Sequence, residues 1–290
     1  MSPQHSLNRR HALLALAAGL AASRVQAQKA ERLIVTNSYI AEIVVSLGGA
    51  PLIVGLGGGT EHLPELKAVP KLPGFRQVSA EPMLALSPTR VLISNEWLVP
   101  QTMEQLRAAG VKVDVIDGEQ TPAGVEKRIR FVAQVLGKAA AGEQLVTRFK
   151  ADLAEALRPL AQVKRRPRAL FILAGGNRPT LVGGRGTNVA ALLDMAGGDN
   201  VAEAFDGFKA MSQEAMIELA PEFILTNQDG TKPNDGVPVA LQAPGALATP
   251  AGKAGRLITV PGQYLQGMGI LTPQGIRELT CQLHPELFKP

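Results

Sequence analysis

Gly74-Phe75-Arg76-Gln77-Val78-Ser79-Ala80-Glu81-Pro82-Met83-Leu84-Ala85-Leu86-Ser87-Pro88 returns 133 residues later as Gly207-Phe208-Lys209-Ala210-Met211-Ser212-Gln213-Glu214-Ala215-Met216-Ile217-Glu218-Leu219-Ala220-Pro221. Across positions 74–92 eight of nineteen residues are identical, and Arg76/Lys209, Leu84/Ile217 and Val91/Ile224 keep their chemical type. Self-similarity on this scale marks a duplicated structural unit. In each copy a serine (79 or 212) is placed to cap a helix, and an acid two residues on (Glu81 or Glu214) suits the positive helix start. Met83 with Leu86, or Met216 with Leu219, forms the buried stripe, Pro88 or Pro221 stops the helix, and a short apolar run follows that reads as a buried strand.

Working outward, each copy is preceded by a helix that ends in paired glycines. These are Ala41 to Leu47 before Gly48-Gly49, and Asn188 to Ala196 before Gly197-Gly198, as left-handed C-terminal caps require. Strands are expected at Leu33–Val35, Leu52–Val54, Val91–Ile93 and Val113–Ile116 in the first half, and at Ala169–Leu173, Phe223–Leu225 and Leu257–Val260 in the second. Between the halves, Val125, Ile129, Val132 and Leu136, then Leu145, Phe149, Leu153, Leu157 and Leu160, keep helical spacing with a break at Gly137 to Gly142. The expected fold is therefore α/β: two Rossmann-like lobes with mainly parallel sheets, joined by a long interdomain helix, with a ligand cleft between them. The divisions are an export signal at 1–27, an N-terminal lobe at 28–122, linker helices at 123–166 and a C-terminal lobe at 167–290.

The first segment has a basic start at Arg9-Arg10, an apolar core from Ala12 to Ala22, and small residues before a cleavage point after Ala27. It holds three of the thirty basic residues and none of the twenty-five acids, so the net charge of +5 falls to +2 without it. That balance, with only 4% aromatic residues, argues against a nucleic-acid partner. No apolar run reaches the roughly 18 residues of a membrane span. One cysteine, Cys281, permits no internal disulfide and is expected to be buried packing. Too few histidines remain for a clustered zinc site, and no Gly-x-Ser-x-Gly elbow is present, so an enzyme is not expected. Gly55-Leu56-Gly57-Gly58-Gly59 lacks the order of a nucleotide loop.

Taken in order, Arg76-Gln77-Val78-Ser79-Ala80-Glu81, Gly184-Arg185-Gly186-Thr187, Ala196-Gly197-Gly198, Gly207-Phe208-Lys209 with Ser212 and Glu214, and Leu247-Ala248-Thr249-Pro250-Ala251-Gly252 resemble the hemin-binding branch of the substrate-binding proteins of bacterial iron-chelate, cobalamin and heme importers. The resemblance spans nearly all of residues 31–285. It implies a monomeric periplasmic protein that captures hemin as transported ligand and delivers it to an ABC transporter permease dimer. A cobalamin or a ferric siderophore is the alternative guest. By the same resemblance, Glu81 and Glu214 dock the permease, one per subunit.

Arg76, Arg185 and Lys209 are candidates for the guest's carboxylates, since a guanidinium holds a carboxylate bidentately. Trp97, after the strand Val91–Ile93, is a candidate to stack on a porphyrin face. The iron-binding tyrosine usual in this branch, in a Gly-Tyr-x-Arg segment, falls here at Gly74 or Phe75, and Phe208 replaces a frequent second-lobe tyrosine. The remaining candidates for heme iron are Tyr39, ranked first, Tyr264 and His62. Met268 is a weaker candidate, and His284 is expected at the surface.

Overall fold

The computed structural model describes residues 31–73, 79–97, 99–174 and 180–288. The first half runs β1 (Leu33–Val35), α1 (Ser38–Ser46), β2 (Ile53–Leu56), α2 (Ala80–Ala85), β3 (Arg90–Ser94), α3 (Pro100–Ala108) and β4 (Lys112–Ile116). Its four strands are all parallel, in the order β2-β1-β3-β4. With helices on the faces, the central strands are buried on both sides, which is why Leu33-Ile34-Val35 and Val91-Leu92-Ile93 are unbroken apolar runs.

Two helices follow, α4 (Pro122–Val135) and α5 (Ala139–Leu157). Thr121 caps α4 by accepting from the Gly124 amide. At 19 residues, α5 is about 28 Å long. Its Leu145, Val146 and Phe149 belong to the apolar core of the first half, whereas Ala156, with Leu153 and Leu157 against it, belongs to that of the second. One helix is thus a structural member of both cores.

The second half contains β5 (Arg168–Leu173), β6 (Leu181–Gly183), α6 (Asn188–Met195), β7 (Asp199–Asn200), β8 (Phe208–Lys209), α7 (Gln213–Leu219), β9 (Phe223–Thr226), α8 (Gln228–Thr231), β10 (Pro233–Asn234), β11 (Val237–Pro238), α9 (Pro250–Lys253), β12 (Leu257–Thr259), α10 (Gly262–Leu265) and α11 (Thr272–Leu283). Its main sheet has the order β12-β9-β5-β6-β8, with β7 also on β5. The pairs β12/β9 and β9/β5 are parallel as expected, but β6 is antiparallel to both β5 and β8. Leu181-Val182-Gly183 and Phe208-Lys209 are not unbroken apolar runs like Leu33-Ile34-Val35, so the sequence does not mark this edge.

The duplication reaches below the level of sequence identity. Ser87 and Ala220 are equivalent in the repeat, and both take the left-handed backbone conformation (φ 49° and 42°), uncommon for residues with a side chain. Arg32 donates to the Leu86 carbonyl at 2.8 Å and Arg168 to the equivalent Leu219 carbonyl at 2.6 Å, so an arginine caps the C-terminal end of the repeated helix in both halves. Gly48 and Gly197 have φ of 69° and 79°, the left-handed caps expected of them. Ser212 accepts from the Ala215 amide at 3.2 Å, whereas Ser79 occupies the same cap position without a side-chain bond.

Candidate functional site

Parallel sheets present their ligand-binding loops at the C-terminal ends of the strands. There Tyr39 follows β1, the loop Gly57 to Leu63 follows β2, Asn95–Trp97 follows β3 and Asp117–Gln120 follows β4. Two asparagines brace these edges. Asn37 Oδ1 accepts from the Ser94 amide at 3.1 Å, tying the end of β1 to β3. Asn227 Oδ1 accepts from the Ala174 amide at 3.1 Å, tying the end of β9 to β5. The signal for this pair lies in the chain as Leu33-Ile34-Val35-Thr36-Asn37 and Phe223-Ile224-Leu225-Thr226-Asn227, a second echo that the reading of the repeat missed.

The segment Gln266 to Thr272 of the second half closes directly on the first. Gln120 Oε1 accepts from the Met268 amide at 2.6 Å, and Arg128 Nη2 donates to the Met268 carbonyl at 2.6 Å. Arg128 is 1% exposed and also donates to the carbonyls of Asp117 and Glu119 at 3.0 and 2.8 Å. Its guanidinium lies 5.1 Å from the centre of the Tyr39 ring, a cation–π distance. Gly267, with φ of 139°, must be glycine here, because a Cβ would stand 2.6 Å from Tyr39 Cε1.

Tyr39 is consequently not an open cleft wall. It is 1% exposed, and its hydroxyl donates to Glu96 Oε2 at 3.2 Å. Burial pushes the phenol above its ordinary range, which disfavours the phenolate that would bind iron. Tyr264 is in the same position. It lies 6% exposed in the second core, donates to Glu278 Oε1 at 2.9 Å, and its phenol is raised first by burial. Met268 is packed into the first core.

His62 differs. It is half-buried in the loop after β2, with Nε2 2.9 Å from Glu42 Oε1. Glu42, on α1, is 3% exposed, and burial raises its carboxyl, partly countered by His62. Among the described residues no hydrogen bond engages His62 Nδ1, and the side chain is 16% exposed. Glu42 also lines, with Asn188, Tyr264, Gly267, Met268 and Thr272, a cavity of about 10 Å³, the size of one water molecule.

Of the three candidate anion holders, the two among the described residues separate. Lys209, exposed, pairs across from Val182, which also faces Ile172, so it stands toward the C-terminal end of β5. Its ammonium lies 5.4 Å from the centre of the Phe205 ring. Because β6 is antiparallel to β5, the chain leaves it toward the start of β5, and Arg185 emerges at that opposite edge. There its guanidinium is bonded to Asp206 at 3.1 Å and lines a cavity of about 220 Å³ with Arg166, Asp194, Asp199 and Glu203. The antiparallel step therefore sets Arg185 at the opposite edge of the sheet from Lys209.

Glu81 and Glu214 are both exposed at the starts of α2 and α7. Two further expectations are reversed. Cys281 is exposed, on the outward face of α11. His284 is buried at 2% exposure, which its ring tolerates because Nε2 and Nδ1 meet the Gly197 carbonyl and Glu286 at 3.1 and 3.3 Å. Arg76, the Gly74-Phe75 pair, the side chain of Trp97 and the segment 1–27 expected to be an export signal lie outside the described residues. Among the described residues, no group of three His, Cys, Asp or Glu side chains is placed to hold a metal ion.

Two related α/β sheets that share one spine helix, with the loops of the first met by a segment of the second, define a two-lobed binding protein. The chain belongs to the periplasmic binding protein family, whose model (Peripla_BP_2) matches residues 33–264. It is similar to the periplasmic heme-binding protein RhuT of Roseiflexus sp. RS-1 in its apo form, with a TM-score of 0.83 and 33% identity over 89% of this chain and 99% of that one. It is also similar to the periplasmic heme-binding protein BhuT in complex with two hemes, with a TM-score of 0.81 and 33% identity over the same shares. An uncharacterised ABC transporter substrate-binding lipoprotein of Bacillus subtilis (strain 168), YvrC, is 26% identical over 251 residues, 86% of this chain and 78% of that protein.

Proposed function

We propose that this protein captures hemin in the periplasm and delivers it to the permease of an ABC importer for heme-iron uptake, without chemistry on its guest. The observation that carries the reading is the likeness, at 33% identity and over nearly nine-tenths of the chain, to periplasmic heme-binding proteins. Lys209 and Arg76 meet the hemin carboxylates, and Trp97 packs on a porphyrin face. Residues 28–122 and 167–290 act as jaws about the helices of 123–166, after removal of 1–27. Glu81 and Glu214 face the permease, one subunit each.

The test is an absorbance titration of the purified mature protein with ferric heme. A saturable change in the Soret band at one or two equivalents is expected. Its absence overturns the hemin reading in favour of another chelate, a cobalamin or a ferric siderophore, added in the same assay.

A further inference from the structure

We propose that His62, through Nδ1, is the protein's bond to the guest's iron, and that Glu42 is the positioning residue that orients its ring. The inference rests on the hemin reading and deepens it.

The side chains that ligate heme iron are histidine, tyrosine, cysteine and methionine. Beyond the export signal the chain has two histidines, two tyrosines and one cysteine. Both phenols are spent: Tyr39 donates to Glu96 and Tyr264 to Glu278, each inside a packed core. His284 is tied to the Gly197 carbonyl. That carbonyl adjoins Asp199, which pairs with Arg168 at the start of β5, so His284 and nearby Cys281 stand at the edge away from the ligand loops. Met83, Met216 and Met268 are buried in apolar clusters, Met195 and Met211 pack against such clusters, and Met103 is buried on α3.

His62 alone combines three properties. Its loop follows β2, at the edge where parallel sheets bind ligands. One nitrogen is fixed on a buried carboxylate at 2.9 Å. The other has no hydrogen bond among the described residues, on a side chain that is 16% exposed. A carboxylate that accepts from one imidazole nitrogen fixes the tautomer, leaving the lone pair on the other, and this pairing is how metal-ligating histidines are held. The arrangement also accounts for why an acid 3% exposed is kept on α1, where an apolar residue would be cheaper to bury.

The experiment compares wild type, His62→Ala and Glu42→Gln in binding ferric heme and metal-free protoporphyrin IX. His62→Ala is expected to shift the Soret band and weaken heme binding 10- to 100-fold. Protoporphyrin affinity, which also reports that the variant is folded, is expected to stay within threefold. Added imidazole is expected to restore the wild-type heme spectrum, which a merely structural role would not allow. Glu42→Gln is expected to weaken heme binding by a smaller factor in the same direction. Unchanged heme spectrum and affinity in His62→Ala overturn the proposal, as does an equal loss for heme and protoporphyrin. No heme binding in wild type overturns the hemin reading itself.

Discussion

A tyrosine hydroxyl can be buried only with a partner, and Tyr39 finds one in Glu96, a residue that also accepts from Ser94 Oγ at 3.3 Å and Gln120 Nε2 at 3.1 Å. Tyr39 is thereby a member of the contact between halves, with Arg128 over its ring and Gly267 against its edge. Tyr39→Phe keeps the ring and removes one hydrogen bond, so a loss of about 0.5–1.5 kcal/mol is expected in denaturant unfolding. Ferric heme affinity is expected to be unaltered, and a large drop would assign the phenol to the guest instead. Sequence alone ranks Tyr39 first because a phenol in a loop looks available. Only coordinates reveal that its oxygen is already committed.

At the scale of elements, α5 carries the most weight. Phe149 is 2% exposed in the first core, so Phe149→Ala is expected to cost about 3–5 kcal/mol. Because Leu153, Ala156 and Leu157 on the same helix reach the second core, that cost is expected to appear as one earlier calorimetric transition rather than as a separated unfolding of the first half. Two resolved transitions would show the halves to be independent. Much of this architecture was legible: Leu33–Val35 and Ala169–Leu173 announce themselves as apolar runs, and Gly137 (φ 66°) marks the break between α4 and α5. The antiparallel strands β6 and β8 do not, since Leu181-Val182-Gly183 and Phe208-Lys209 form no such unbroken apolar run, so the sequence does not show at which edge Arg185 stands. The partnership of Glu42 with His62 was also hidden, because it joins α1 to a loop twenty residues away with no motif linking them.

Over the whole molecule, the duplication gives two exposed acids, Glu81 and Glu214, at equivalent helix starts, matched to a dimeric permease by the proposed function. Glu81→Lys with Glu214→Lys is expected to abolish uptake by cells while ferric heme affinity of the purified protein is retained. Undiminished uptake would remove docking from these residues. The first core has one further property. It is completed by residues far downstream: Phe149 from the spine helix, and Met268, with Ile270 against it, from the segment that closes on α1. A chain delivered N-terminus first, from a ribosome or through a translocation pore, therefore exposes an unfinished greasy surface until the segment just before its last long helix emerges. Such a nascent chain stays pliable enough to thread and depends on escort factors until then, and a truncation before residue 268 forfeits the first lobe as well as the second.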